Sequence, residues 1–172
     1  MPVFKVVTQN KEPYGNHNQL GKYHDKDAYD DVISYLLDSD KTTEDLVGGF
    51  GVNPYMAADQ FKIIARIHHK DFGVHLRHMV LSFSKKEPIG IQQAKSIAYQ
   101  IAAYYAEQYQ ILYAVHIDAE HLNIHFVMNT VSYRTGMKYE GKKQDYYQFI
   151  DHMKQTLSWY GLNLYVFTDQ HE

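Results

Sequence analysis

Two runs rich in β-branched and aromatic residues, Ile111 to Asp118 and His121 to Tyr133, follow one another with only Ala119-Glu120 between them. Strands joined by so short a link pair as an antiparallel hairpin, so the segment predicts two neighbouring strands of one sheet. Along a strand, successive side chains face opposite ways. His121, Asn123 and His125 therefore share one face, while Leu122, Ile124 and Phe126 share the other and point toward a core. His116 and Asp118 occupy one face of the partner strand. A lone histidine in an apolar strand is ordinarily a hydrogen-bonded core residue. Three imidazoles and an amide within ten residues point instead to a divalent-metal or catalytic site.

The rest of the chain supplies helices and further strands. Val3 to Thr8 reads as an opening strand, followed by a polar loop containing Pro13, Gly15 and Gly21. Ala28, Val32, Tyr35 and Leu36 recur at helical spacing, with Asp25 or Asp27 as the cap and an end near Asp38 to Lys41. Gly48-Gly49-Phe50-Gly51 predicts a turn or mobile flap; without a following Lys-Ser/Thr it is not a phosphate loop. Met56, Phe61, Ile64, Ala65 and His68 fit a second helix, His75 to Ser84 a strand, and Ile91 to Tyr109 a long helix. After a turn at Arg134-Thr135-Gly136 come an amphipathic helix over Gln144 to Tyr160, a capping Gly161 and a last strand over Leu162 to Thr168. The order β-α-α-β-α-β-β-α-β predicts an α+β fold, a central antiparallel sheet of about five strands with helices packed on one side.

Composition narrows the chemistry. The 172 residues, 45% of them hydrophobic, suit a single domain spanning 1–172. The absence of cysteine excludes disulfide scaffolds and thiolate metal sites, leaving imidazole, carboxylate and amide ligands for a hard or borderline cation. A formal charge of −3 argues against coating nucleic acid by charge alone, although the basic residues from Lys62 onward leave room for a local patch. No leader or membrane-spanning run is present, so a cytosolic chain is expected. With sixteen tyrosines, abundance singles out none as reactive.

The pattern His116-x-Asp118-x-x-His121-x-Asn123-x-His125-x-x-x-Asn129 resembles the third motif of conjugative relaxases, the DNA-nicking mobilisation nucleases of plasmids and integrative elements. Tyr35-Leu36-Leu37-Asp38-Ser39-Asp40-Lys41-Thr42 is similar to the tyrosine-containing first motif of that family, and His78-Met79-Val80-Leu81-Ser82-Phe83 to its second. Asn129 to Gly136 extends the match beyond the third motif. The resemblance implies a fold of the HUH endonuclease type, with metal ligands on central strands and a helix presenting a tyrosine.

It also implies a reaction. Tyr35, with Tyr29, Tyr23 and Tyr14 as alternatives, would attack one phosphodiester of single-stranded DNA at an origin of transfer, leaving a 5′-phosphotyrosyl bond and a free 3′-hydroxyl. The family's metal triad maps onto His116, Asn123 and His125, so an amide stands where an imidazole is usual. That substitution shifts preference toward Mg²⁺ or Mn²⁺, with His121 as the competing third ligand. Asp118 is expected either to orient a histidine or accept the tyrosine proton, or else to cap the turn. His78 and Ser82 are expected along the path of the scissile strand, and Arg134 and Lys138 at phosphates. Implied partners are the origin DNA, accessory relaxosome proteins and a coupling protein, in a bacterial cytoplasm. Because relaxases continue past the nicking domain, the chain is expected to be the N-terminal part of a longer protein. Two alternatives remain: a rolling-circle replication or transposition nuclease of the same fold, and a catalytically silent sheet that stacks single-stranded nucleic acid on its tyrosines. The tyrosine motif preceding the metal motif favours the relaxase order.

Overall fold

The predicted hairpin forms between β4 (Ile111–Ile117) and β5 (Leu122–Asn129), paired antiparallel from Ile111 opposite Met128 to Ile117 opposite Leu122. The computed structural model describes residues 1–7, 23, 27–118 and 121–166. Thr8, the polar loop with Tyr14, the candidate cap Asp25, the Ala119-Glu120 link and Phe167-Thr168 lie outside the described residues. On its other edge β5 pairs antiparallel with β3 (Leu76–Phe83), which pairs antiparallel with β1 (Val3–Val7). The short β6 (Tyr165–Val166) closes that side, parallel to β1. Six strands result among the described residues, in the order β2-β4-β5-β3-β1-β6.

The outermost of these, β2 (Val47–Phe50), corrects the expectation of a turn or flap at Gly48 to Gly51. The glycines serve close packing here. A Cβ on Gly48 would lie 2.3 Å from the Tyr113 hydroxyl oxygen, so only glycine lets this edge strand lie over the ring of its neighbour. Read from sequence alone, the same glycines signal a break.

Helices cover both faces rather than one. On the first face, α3 (Ile91–Ala102) and α4 (Lys143–Ser158) bury Ala94, Ile97, Ile101, Phe149, Met153 and Leu157 against Phe4, Leu81, Val115, Ile124 and Phe126. On the second, α1 (Ala28–Leu36) and α2 (Ala57–Ile67) bury Val32, Leu36, Ala57 and Phe61 against Val80, Leu112, Ala114 and Val127. The reason is visible in β4, where every residue from Ile111 to His116 is buried. Central strands covered on both sides read as continuous apolar runs, and the few polar residues on one face disguised that cover as solvent.

Two element ends also move. The third helix stops at Ala102, and the chain turns so that Tyr105 packs on Phe149, with ring centroids 4.8 Å apart, and donates to Asp145 at 2.9 Å. Strand β5 stops at Asn129, whose amide donates to the Phe61 carbonyl and to Gln110 while its oxygen accepts from the Val131 amide. A side chain that satisfies the local backbone in this way takes the place of further ladder pairing.

Candidate functional site

Register across the sheet generates the site. On the α1/α2 face, three rows of directly opposed residues cross the central strands: Val3–Ser82–Asn123–His116, Lys5–Val80–His125–Ala114 and Val7–His78–Val127–Leu112. His116, His125 and His78 therefore lie on a diagonal, each displaced by one strand and one row from the last. Such diagonal neighbours remain within reach of ring side chains. The His116 and His125 ring centroids are 4.2 Å apart and those of His125 and His78 5.2 Å apart. His78 Nε2 and His125 Nδ1 share a 2.9 Å hydrogen bond, and the Tyr23 hydroxyl lies 3.1 Å from His78 Nδ1.

The C-terminal end of α1 closes over this diagonal. Tyr35 places its ring 5.7 Å from that of His116 and 5.6 Å from that of His125. The next residue completes the connection, because His116 Nε2 lies 2.7 Å from the Leu36 carbonyl oxygen. A carbonyl only accepts, so Nε2 carries the hydrogen and Nδ1 of His116 keeps its lone pair. Beyond the helix, the Lys41 ammonium sits 4.2 Å from the centre of the Tyr35 ring.

Burial shapes the electrostatics. His125 is held well below the usual histidine range by loss of hydration, reinforced by its neighbours His78, His116, Lys41 and Lys5. His116 is lowered as well, chiefly by burial and also by Lys41; the Leu36 carbonyl, Asp38 and Asp118 oppose that shift. Both rings are consequently neutral at neutral pH, the state in which imidazole can ligate a cation. Among the described residues no three histidine, aspartate or glutamate side chains form a metal-binding group. The donor next to the histidine pair is an amide: Asn123, directly opposite His116 and only partly buried.

The other sequence-predicted residues fall in different places. Asp118 is exposed and closes the hairpin: its Oδ1 accepts from the His121 amide at 2.7 Å, and its own amide donates to the His121 carbonyl. His121 is thereby at the exposed end of β5, past Asn123. Ser82 stands beside Asn123 in the first row, half-exposed. Tyr29 is buried, bonded to Asp71 and His75, and its phenol is pushed far above the ordinary tyrosine value by burial and by the Asp71 carboxylate. Arg134 lies in an exposed turn beyond the opposite end of β5, and Lys138 spends its ammonium on the carbonyls of Phe72 and Val74. Lys138 shares with His78 the lining of a cavity that also takes in Tyr23 and Arg77. Sequence reasoning missed the contact of His78 with His125, the role of the Leu36 carbonyl, and the lysines at positions 41 and 5. Strand register would have signalled the first, had it been known.

The profile of the nuclease domain of MobA/VirD2-like relaxases matches residues 35–162, from the tyrosine at the end of α1 to the residue four past α4. The chain belongs to this relaxase family. Among curated relatives, the group II intron-interrupted relaxase LtrB of Lactococcus lactis subsp. cremoris is 26% identical over 144 residues, covering 68% of this chain and 26% of its own length. The protein rlx of Staphylococcus aureus is 28% identical over 88 residues, covering 51% of this chain and 27% of its own. The relaxase chain thus spans about a quarter of the length of these relatives. Among the described residues, no helix is long and apolar enough to cross a membrane.

Proposed function

We propose that this relaxase domain nicks one strand of origin-of-transfer DNA through Tyr35, with His116, His125 and Asn123 as the ligands of a divalent cation. The observation that carries the reading is the placement of the Tyr35 ring against two neighbouring imidazoles, 5.7 Å from His116 and 5.6 Å from His125. Of the described alternatives, Tyr29 is engaged by Asp71 and His75, and Tyr23 is buried against His78.

The donor set fits a hard or borderline cation. His116 keeps Nδ1 and His125 keeps Nε2 outside the hydrogen bonds named above, and Asn123 adds an amide oxygen beside them. When bound, Mg²⁺ or Mn²⁺ would offset the negative charge that grows on the nonbridging oxygens of the phosphate. The protein's own residues do the rest. The Tyr35 hydroxyl oxygen forms a bond to phosphorus, the bond from phosphorus to the 3′-oxygen breaks, and the phenol proton is balanced by the one gained at the 3′-hydroxyl. A phenolate leaves more readily than an alkoxide, so the joined state can be resealed by the reverse step. The Leu36 carbonyl orients His116 and so fixes the helix that carries Tyr35 to the strand that carries a ligand. Asp118 acts by holding the hairpin, Ser82 lines the face along which the DNA strand passes, and His78, buried behind His125, holds that ring in place rather than touching DNA. Accessory relaxosome proteins and a coupling protein are the partners such a reaction calls for.

The test is covalent capture. With Mn²⁺ and a single-stranded oligonucleotide from the origin of its own element, the wild-type domain forms an adduct that resists denaturation, and Tyr35→Phe forms none. An adduct of undiminished yield in Tyr35→Phe would move the nucleophile elsewhere; no adduct in the wild type with any divalent metal would favour a silent single-strand-binding sheet.

A further inference from the structure

Two lysines flank the histidine diagonal, and the reaction described above assigns neither a task. Lys41 is fixed from both sides. Its amide and that of Thr42 donate to the Asp38 carbonyl, and its carbonyl accepts from Ile117 at 2.8 Å, which ties the turn to the strand end next to His116. Its ammonium is held over the ring of Tyr35. Lys5 projects from β1 on the same face, opposite Val80, in the row that contains His125.

Among the described residues, neither lysine has a carboxylate within ion-pair distance, although Asp38 and Asp118 are close enough to act on His116. Lys41 is seated against the Tyr35 ring and Lys5 shares a row with His125, so each belongs to the face that carries the attacking tyrosine, in a chain whose net charge is −3. An ammonium held beside the attacking phenol is placed to meet a phosphate oxygen. Between them runs the half-exposed part of the sheet face, where Val3, Ser82 and Asn123 stand side by side.

We propose that Lys41 and Lys5 bind successive parts of the substrate's phosphate backbone, Lys41 at the phosphate attacked by Tyr35 and Lys5 farther along. The DNA strand then crosses the sheet from the β4 side toward β1, perpendicular to the protein strands, over Asn123 and Ser82. The inference rests on the reading of the site as a single-strand nuclease, and it adds the direction of the strand and the residues that hold it.

The discriminating measurement is the salt dependence of binding, because a lysine on a phosphate releases a counterion whereas a lysine that merely packs on a ring does not. Each such contact contributes about 0.7 to the slope of log affinity against log salt for a single strand. Binding is measured by fluorescence anisotropy in the non-cleaving Tyr35→Phe domain, in EDTA, with an oligothymidylate of about 16 nucleotides, within the span of single-strand grooves. Lys41→Met and Lys5→Met are each expected to lower the slope by about 0.7, and the pair together by about 1.4. Lys41→Arg retains the parental slope. A slope unchanged in Lys41→Met, whatever its affinity, overturns the proposal while leaving the nuclease reading intact. Failure of the Tyr35→Phe domain to bind the oligonucleotide even at low salt would remove both.

Discussion

The two faces of the central sheet are made from the same strands and differ in what those strands carry. Within β5, Phe126 and Ile124 face α3 and α4, surrounded by apolar side chains, while His125 faces α1 beside two other histidines. Both Phe126 and His125 are almost wholly buried. Burial alone therefore does not separate the two roles; the polar partners do. The first face holds the fold, and the second accepts buried polar groups whose hydrogen bonds run to His78 and, through His116, to the end of α1.

Truncating neighbours on opposite faces tests this division most strongly. Phe126→Ala should cost about 3–5 kcal/mol of stability, read as a shift in urea midpoint, through the cavity left under α3 and α4. His125→Ala should lower nicking by about 10³-fold, equivalent to several kcal/mol in the transition state, while costing only about 1–3 kcal/mol of stability from the stranded His78. Equal stability losses with equal activity losses would dissolve the distinction between the faces.

Acidity should act on one face only. His125 and His116 have their protonation suppressed in the folded state relative to the ordinary histidine value of 6.5. The unfolded chain then binds protons that the folded chain refuses as pH falls below that value, so the contribution is intact above about pH 7 and is progressively lost toward pH 5. The expected slope is on the order of 1 kcal/mol per pH unit in urea titrations, and His125→Asn should flatten it. An unchanged slope would show that burial of this ring does not govern its protonation.

A smaller effect sharpens the account of the sheet edge. Gly48→Ala pushes a methyl group into the Tyr113 ring, with an expected loss of about 1–3 kcal/mol. Tyr113→Leu in the same chain should recover part of that loss, a coupling that a double-mutant cycle measures. Additive losses would mean that β2 is held by something other than this close approach.

Much of this organisation was legible in the residues. The hairpin followed from the two-residue link, the division of β5 into two faces from its alternation, and the helix bearing Tyr35 from the spacing of Ala28, Val32 and Leu36. The third and first motifs brought Tyr35, His116, Asn123 and His125 together on paper, and the structure places them in one neighbourhood. Hidden from the sequence was whatever depends on register between distant strands. That His78 falls diagonally behind His125 requires knowing that β3 pairs with β5 with His78 opposite Val127. The grip of the Leu36 carbonyl on His116 is a backbone contact that no residue type announces. Gly48 misled because glycine serves both flexibility and close packing, and only the ring of Tyr113 decides between them. Arg134 and Lys138 suggest phosphate roles by charge and position; the fold sets Arg134 in an exposed turn and bonds the Lys138 ammonium to the carbonyls of Phe72 and Val74.

The central claim is that one phenol among sixteen tyrosines attacks the DNA. Proteolysis of the covalent adduct followed by mass spectrometry of the nucleotide-bearing peptide tests it directly. The account predicts the modification on Tyr35 alone. Its appearance on Tyr14, Tyr23 or Tyr29, with an unmodified Tyr35, would contradict it.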